Sequence, residues 1–362
     1  MKNNNLGQVF VAHATRVDSL DLYKGLAILL VVAGHLVQTY AVDFDRSMLF
    51  KGIYMFHMPL FFLVSGMVYA VKLSTTMSIS GFGMSVLKRA RQLLLPFIAW
   101  CLVGYFISHN EAQFDEYMIN LMKRPDAGLW FLWVLFVFTC VADFGRLVAS
   151  ASRLPLWLLL VAVWALFFHL RIDHTMLGVG LIAFHMPFFF AGIFHRQIVE
   201  GVRGYVGLLS TICALAFPVL VSQWVRVNPP EIGLMLQQAY SLPMTRTFNT
   251  VYLGIGYLYQ AAFAVVGIVV FFSITKAFTE AGGAKPFVTR WLCFLGQRTL
   301  EIYALHFYMI QYAYFNASPF MNGLVAMVMA TGLSILIADY LLKPSKVVAL
   351  LLFGKSPRNV PT

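Results

Sequence analysis

Charged side chains are scarce in this sequence of 362 residues. Asp, Glu, Lys and Arg make up 11% of it, against about 25% in soluble domains. Hydrophobic residues make up 60%, and the mean hydropathy is +0.77. The apolar residues form long continuous runs, which are typical of membrane helices and not of the short alternating segments of a transmembrane barrel. The sequence therefore predicts an all-α polytopic membrane protein.

Paired cysteines, metal-ligand clusters and glycine-rich phosphate loops are also missing. The four cysteines are scattered singly along apolar segments, so their spacing indicates neither a metal site nor a disulfide framework. The first twenty residues are polar and contain no short apolar stretch followed by a cleavage site. We therefore expect no bound metal, and we expect the first hydrophobic helix to be retained as a membrane span.

Apolar stretches long enough to cross a bilayer recur along the whole chain. We expect about ten spans, near residues 22–42, 52–71, 92–108, 128–145, 154–170, 175–194, 204–225, 247–275, 299–316 and 321–342. The last two are separated only by turn signals in Asn316-Ala-Ser-Pro319 and Asn322-Gly323, because residues 302–338 carry no charge. The sequence thus predicts one transmembrane domain at 21–342, with an N-terminal tail at 1–20 and a C-terminal tail at 343–362.

Positive charge is distributed unevenly between the alternate loops of this arrangement. If the N-terminus is cytoplasmic, 19 of the 26 Lys and Arg residues fall on inside segments and seven on outside ones. Cytoplasmic loops of membrane proteins carry such an excess. We therefore predict that both termini are cytoplasmic and that the loops at 109–127 and 226–246 are outside. The net charge of +11 then reflects topology and contact with membrane lipids, and no nucleic-acid partner is required.

One histidine lies deep inside the first apolar helix. Residues 25–42 contain no Asp, Glu, Lys or Arg, yet His35 lies among them, eleven residues after Lys24. Since a helix turns by about 100° per residue, the face of His35 also carries Asp21, Lys24 and Gln38. An ionisable group at this depth is costly unless it faces a partner or a water-lined cavity, which favours a functional site. The alternative is a histidine that hydrogen-bonds a neighbouring helix.

Three further histidines in predicted spans are candidates for the site. His57 and His185 each stand in a Phe-His-Met-Pro sequence at the start of the second and sixth spans. The repeat fits an ancient duplication, as in many transporters, and it fits equally a repeated way of starting a helix with proline. Both are expected in the outer third of the membrane, where they can help to line a pocket open to the outside. For His306, in the ninth span, a structural hydrogen bond is the simpler interpretation.

Basic residues cluster before the third span, in Lys88-Arg89-Ala-Arg91. Lys88 and Arg91 are three positions apart and are therefore neighbours on a helix face. Two interpretations are open. The cluster can be an anchor at the cytoplasmic surface. It can also be a cationic clamp for the phosphates of a ligand, because arginine offers a planar fork to phosphate oxygens.

The order and spacing of these motifs resemble the acyltransferase-3 family of membrane-bound O-acyltransferases, in its fucose-4-O-acetylase-like branch. The resemblance runs from Arg16 to about Leu342. In chain order it is carried by Asp21-Leu-Tyr-Lys24-Gly25, Gly34-His35, Phe56-His-Met-Pro-Leu-Phe-Phe-Leu-Val-Ser65-Gly66, Lys88-Arg89-Ala-Arg91, Leu129-Trp-Phe-Leu132, Phe184-His-Met-Pro187 and Leu295-Gly-Gln-Arg-Thr-Leu-Glu-Ile-Tyr-Ala-Leu-His306.

The resemblance implies transfer of an acyl group, usually acetyl, from cytoplasmic acyl-CoA to a hydroxyl of a bacterial surface polysaccharide or its lipid-linked precursor. Acetyl-CoA is then the donor substrate, no bound cofactor is needed, and the protein resides in the bacterial inner membrane. The family's basic residue and histidine fall on Lys24 and His35, with Lys where Arg is commoner, and its basic pair falls on Lys88 and Arg91. The implied site comprises catalytic Lys24 and His35, acyl-CoA-binding Lys88, Arg89 and Arg91, and a surrounding pocket of Asp21, His57, Ser65, His185 and His306.

Many members carry a C-terminal soluble domain of the esterase type, and this chain, ending at Thr362, is expected to be a membrane-only form. A sugar hydroxyl needs a base as it attacks, and histidine exchanges protons near neutral pH. We expect His35 to act as a general base, with an acyl-histidine relay as the alternative.

Two other classes of function also fit parts of the sequence. A secondary transporter or lipid-linked sugar flippase would fit ten spans and intramembrane histidines. Such carriers usually bury several carboxylates, whereas Glu301 and Asp339 are the main ones expected here. A structural partner in polysaccharide assembly would not need the polar face that contains His35.

Overall fold

The computed structural model describes residues 4–71, 73, 76–107, 113–123, 129–173, 176–226, 246–280, 286–311 and 319–355. Within these ranges every regular element is helical, which confirms the predicted all-α class. Long apolar runs fold in this way because a backbone inside a bilayer must satisfy its N–H and C=O groups internally.

Sixteen α-helices account for most of the described residues. In chain order they are α1 (Asn4–Tyr40), α2 (Met48–Tyr54), α3 (His57–Val71), α4 (Ile79–Arg89), α5 (Leu95–Ile107), α6 (Phe114–Lys123), α7 (Trp130–Ser152), α8 (Leu156–Asp173), α9 (Val179–Ile193), α10 (His195–Gly201), α11 (Val206–Gln223), α12 (Arg246–Glu280), α13 (Pro286–Gln297), α14 (Thr299–Ile310), α15 (Pro319–Leu336) and α16 (Lys346–Phe353). Two π-helical segments, Ala90–Leu94 and Ile337–Leu342, join α4 to α5 and extend α15.

Most of the predicted spans have a helical counterpart. Eight stretches of the described chain are long and apolar enough to cross a membrane: Ser19–Tyr40, Met48–Val71, Ile79–Ile107, Trp130–Ser152, Met176–Ile193, Arg203–Gln223, Gly254–Glu280 and Asn322–Leu342. A shorter apolar stretch, Leu156–Leu170, lies in α8. Of the ninth predicted span, α14 covers Thr299–Ile310, and residues 312–318 lie outside the described ranges. The total of ten therefore stays a prediction.

The chain divides into two compact units. Unit 1 contains Met1–Val68 and Phe194–Gly332, and unit 2 contains Tyr69–Ile193 and Leu333–Thr362. Residues that are distant in sequence therefore meet inside each unit. The two Phe-His-Met-Pro copies are divided between them, since His57 belongs to unit 1 and His185 to unit 2.

In unit 1, α1 and α13 approach each other through two glycines. A Cβ atom added to Gly25 would lie 2.0 Å from the carbonyl oxygen of Leu292, and one added to Gly296 would lie 1.8 Å from that of Asp21. Only glycine permits such backbone contact, which is a common basis of helix association in membranes. These glycines hold the end of α13 against the polar residues at the start of the apolar part of α1.

In unit 2, α9 contains a proline whose structural cost is compensated by a neighbouring helix. Pro187 lies inside α9 and has no N–H to donate to the carbonyl oxygen four residues earlier. That oxygen, of Ala183, instead accepts a hydrogen bond of 2.9 Å from Nε1 of Trp164 in α8. The second Phe-His-Met-Pro motif is thus accommodated within a continuous helix.

Candidate functional site

The polar face predicted for α1 is present in unit 1. Nζ of Lys24 lies 2.6 Å from Oδ1 of Asp21, and Nδ1 of His35 lies 3.3 Å from Oε1 of Gln38. Both contacts join residues three positions apart, as the helical repeat requires. The helix rises by about 16 Å between Lys24 and His35, so the two side chains are suited to contact different parts of one elongated substrate.

The hydrogen bonds of His35 determine which ring nitrogen is available to a substrate. The hydroxyl of Tyr54, at the end of α2, donates to Oε1 of Gln38 at 2.9 Å and lies 3.2 Å from Nδ1 of His35. Both neighbours of Nδ1 therefore present acceptor oxygens, so Nδ1 carries the proton and donates it. The lone pair of neutral His35 is then on Nε2, which is the arrangement that a general base requires.

A second histidine packs beside His35. The ring of His306, in α14, lies 5.3 Å from that of His35 between centroids, and its side chain is fully buried. The ring of Phe307 contacts both, with centroids 4.2 Å from His35 and 4.6 Å from His306. The Tyr40 hydroxyl at the end of α1 donates to the carbonyl oxygen of Ile310, which ties α1 to α14. The structure therefore brings together two histidines that are far apart in sequence.

Aromatic rings and a cation surround Tyr54. Its ring stacks on Phe50 with centroids 3.9 Å apart, and the Cζ atom of Arg226 lies 5.7 Å from its centroid. His57 starts α3, and its Nδ1 donates to the carbonyl oxygen of Ile53 at 3.1 Å. The His57 ring lies 4.6 Å from that of Tyr54. His57 therefore contacts Tyr54, which in turn contacts His35.

The opposite end of the polar face of α1 is anchored by α13. Asp21 is buried, and its Oδ2 accepts a hydrogen bond of 3.0 Å from Nε2 of Gln297 while Oδ1 pairs with Lys24. The close approach of Gly296 to Asp21 places Gln297 at this position. Asp21 therefore holds the Lys24 ammonium in place, and Gln297 holds Asp21.

In unit 2, a buried carboxylate gathers polar groups from three helices. Asp143 of α7 accepts hydrogen bonds from the hydroxyls of Tyr69 (α3) and Ser85 (α4), the latter at 2.6 Å. It also pairs with the guanidinium of Arg146 at 2.9 Å. Asp143 was not among the intramembrane carboxylates predicted from the sequence. Its three-residue spacing from Arg146, inside a span with no other charge before it, was the signal that could have identified it.

The basic cluster of the third span lies in the same unit, and its members differ in exposure. Lys88 and Arg91 are exposed, whereas Arg89 is half-buried. The Cζ atom of Arg89 lies 5.8 Å from the ring centroid of Tyr69, and its buried Nε has no hydrogen-bond partner among the described residues. The π-helical segment begins at Ala90, and such segments are frequent at functional sites. Arg89 is thus the member of the cluster with an unused buried donor.

Two other predicted pocket residues make local contacts. In unit 2, the buried His185 donates from Nδ1 to the carbonyl oxygen of Leu181 at 2.9 Å and lies 5.3 Å from Trp130 between ring centroids. In unit 1, the Ser65 hydroxyl donates to the carbonyl oxygen of Phe61 at 2.8 Å. Among the described residues, no group of three or more His, Cys, Asp or Glu side chains is arranged to hold a metal ion.

Tyr54 and Arg226 were not predicted as site residues. Tyr54 lies just before the first Phe-His-Met-Pro motif, and that proximity was the signal that could have drawn attention to it. Arg226 had been counted only as an outside charge, and its contact with Tyr54 depends on how α11 packs against α2.

Comparison with known proteins identifies the family of this chain. The family model described as an acyltransferase domain, Acyl_transf_3, matches residues 17–342. The chain is similar to the nodulation protein NolL of Mesorhizobium japonicum, with 28% identity over 196 residues that cover 52% of this chain and 50% of that protein. It is also similar to NolL of Sinorhizobium fredii, with 31% identity over 194 residues that cover 50% of this chain and 49% of that protein.

The matched regions span about half the length of these curated relatives. No solved structure matches the chain. The family model extends over the polar face of α1, the basic cluster of α4 and the His306 helix alike. This multi-pass helical chain therefore belongs to the acyltransferase-3 family.

Proposed function

We propose that this protein is an integral membrane O-acyltransferase of the bacterial inner membrane. It moves an acyl group, in the first instance acetyl, from cytoplasmic acyl-CoA to a hydroxyl of a surface or exported polysaccharide or its lipid-linked precursor. The observation that carries the proposal is the orientation of His35, whose Nδ1 is engaged by Tyr54 and Gln38 so that Nε2 is left as a base. Membership of the family and the name of the matched domain agree with this activity.

The chemistry follows from that orientation. As the acceptor oxygen attacks the thioester carbonyl, Nε2 of His35 takes the hydroxyl proton, and a tetrahedral intermediate forms. Collapse of the intermediate breaks the C–S bond, leaves the ester, and expels CoA thiolate, which recovers the proton from the imidazolium. The acceptor oxygens at Nδ1 stabilise the imidazolium meanwhile. A base positioned in this way typically accelerates such a step by about 10²–10⁴-fold.

We assign the binding of the acyl-CoA phosphates to the basic residues. The predicted topology puts Lys24, Lys88, Arg89 and Arg91 on the cytoplasmic side, where the phosphates of acyl-CoA would arrive. Exposed lysines and arginines gain little from a phosphate because water and salt screen them. A buried N–H without an acceptor gains more when an anion supplies one. Arg89 is therefore expected to contribute most within the basic cluster.

The role of His35 is tested by His35→Ala in a strain that lacks the native gene. The variant should reach the membrane at normal levels, yet acylation of the surface glycan, measured by mass spectrometry, should disappear. His169→Ala is a matched control, because His169 is an exposed histidine near the end of α8. Normal acylation by a folded His35→Ala protein would refute the proposal.

The role of Arg89 is tested by comparing Arg89→Gln with Arg91→Gln. Loss of a charge-assisted hydrogen bond costs about 1.5–3 kcal/mol, or roughly ten- to hundred-fold. Arg89→Gln should raise KM for acetyl-CoA by at least the lower factor, while the exposed Arg91 should matter less. KM for the acceptor should change little in either variant. Equal effects at both positions would show that the cluster acts as a diffuse positive surface.

The acyl-histidine relay is distinguished by a single-turnover experiment without acceptor. Purified protein mixed with radiolabelled acetyl-CoA should retain no label after denaturation if attack is direct. Stoichiometric label on wild type that His35→Ala lacks would instead establish the relay.

A further inference from the structure

His306 has one ring nitrogen committed to the protein and one that is not. Its Nδ1 lies 3.0 Å from the carbonyl oxygen of Ile302 and 2.9 Å from that of Tyr303. Carbonyl oxygens only accept hydrogen bonds, so Nδ1 must carry a proton. The lone pair of the neutral ring is therefore on Nε2, and this nitrogen is an acceptor.

The Nε2 atom of His306 is buried and has no hydrogen-bond partner within the described part of the chain. The whole side chain has no exposed surface. An unsatisfied buried polar atom typically costs about 1–3 kcal/mol, so such atoms are rare in folded proteins and call for an explanation. A ligand that supplies the missing donor is one such explanation.

The position of His306 indicates which ligand would do so. Its ring lies beside that of His35, and the Phe307 ring packs against both. Since Nδ1 carries the proton in each ring, the two Nε2 atoms are both acceptors and cannot bond each other. A substrate that satisfies both must bring two donors, on a part of the molecule small enough to meet two rings whose centroids are 5.3 Å apart. A thioester carbonyl brings none, because it only accepts.

We propose that Nε2 of His306 accepts a hydrogen bond from a second hydroxyl of the acceptor, adjacent to the hydroxyl that His35 deprotonates. The inference rests on the proposed acyltransferase function and makes its acceptor class narrower. The acceptor is then a vicinal diol, as adjacent ring carbons of a sugar provide, rather than an isolated hydroxyl. His306 is a binding residue that orients the diol and takes no part in bond making.

The test uses the full chain in lipid nanodiscs, with radiolabelled acetyl-CoA as donor. The acceptors are the methyl glycosides of glucose, galactose, mannose, rhamnose and fucose. Each glycoside that becomes acetylated is then compared with deoxy analogues that lack a hydroxyl adjacent to the acetylated hydroxyl. For wild type, this deletion should lower kcat/KM by about ten- to hundred-fold, because it leaves the His306 acceptor unpaired again.

Variants separate hydrogen bonding from a structural role. His306→Phe should acetylate the parent and the deoxy acceptor at the same low kcat/KM. His306→Gln, whose amide oxygen lies near the position of Nε2, should restore part of the preference for the parent. His169→Phe is the control for loss of a histidine. His169 is exposed near the end of α8 and was assigned no role in the site, so the preference should remain as in wild type.

The outcomes are separable. Equal use of parent and deoxy acceptors by wild type, or an undiminished preference in His306→Phe, would overturn the inference while leaving the acyltransferase intact. If His306 had a purely structural role, His306→Phe would lower kcat/KM for both acceptors by the same factor, and the preference for the parent would stay undiminished. If the wild-type protein transferred acetyl from acetyl-CoA to none of the glycosides, the result would contradict the proposed function, and the inference would fall with it.

Discussion

Replacement of Tyr54 by Phe isolates one hydroxyl group in the site. That hydroxyl lies 3.2 Å from Nδ1 of His35 and donates to Gln38 at 2.9 Å. The phenyl ring of the variant can still stack on Phe50, whose centroid lies 3.9 Å away. The change therefore removes an acceptor of the His35 proton with little effect on packing.

The magnitude follows from what remains around His35. A hydrogen bond to a charged group contributes about 1.5–3 kcal/mol, and this one becomes charge-assisted once Nε2 takes up the substrate proton. Oε1 of Gln38 lies 3.3 Å from Nδ1 and stays as a second acceptor, which favours the lower value. A loss of about 1.5 kcal/mol corresponds to roughly ten-fold in kcat. The KM for acetyl-CoA should be nearly unchanged, because the group acts on the base.

The assay is acetyl transfer by the purified protein, with the thermal unfolding midpoint measured in the same detergent. Tyr340→Phe is the matched control, since Tyr340 is 75% exposed and loses only an outward hydroxyl. The double variant Tyr54→Phe with Gln38→Leu removes both acceptors. Its loss should exceed the product of the single losses, because each acceptor substitutes for the other.

A wild-type kcat in a well-folded Tyr54→Phe protein would refute this reasoning. It would mean that Nδ1 of His35 needs no support from Tyr54 during the reaction. A large loss of thermal stability would instead show that the hydroxyl holds α2 against α1.

Two further predictions concern packing and topology. Gly296→Ala places a Cβ 1.8 Å from a backbone carbonyl oxygen that cannot rotate away, so it should destabilise the protein by about 3 kcal/mol, the upper end for overpacking. Gly332→Ala meets nothing within 4 Å and should be neutral or slightly stabilising in the same thermal unfolding assay. If the charge distribution sets the orientation, a cysteine at Asn228, which lies outside the described residues, should react with an impermeant thiol reagent in cells with a permeabilised outer membrane. A cysteine at Lys355 should react only after lysis, and the reverse pattern would invert the predicted topology.

Features that depend on one helix alone could be predicted from the sequence. The pairs Asp21–Lys24 and His35–Gln38 are three residues apart, and helical geometry alone brings their side chains together. The apolar runs likewise determined the helical class, because hydropathy and length suffice to identify membrane helices. Where turn signals were weak, as around residues 312–318, the number of spans stayed open.

The orientation of individual side chains within a motif was harder to predict from the sequence. The cluster around Arg89 was recognised by its charge, and spacing favoured Lys88 and Arg91 as the gripping pair. In the structure both are exposed, and Arg89 is half-buried beside Tyr69. Asp143 was overlooked for a related reason. A single carboxylate in an apolar span becomes meaningful only when Tyr69 of α3 is seen to donate to it.

The sequence by itself thus determined the helices, their polar faces and the identity of His35 as the deepest ionisable group of α1. Tertiary structure alone decided that Tyr54 and His306 contact His35, and that Gln297 supports Asp21. The reason is that contacts along one helix follow from a fixed repeat, whereas contacts between helices depend on close backbone approach. In unit 1 that approach depends on Gly25 and Gly296, whose missing side chains leave room for a neighbouring backbone but do not specify which one.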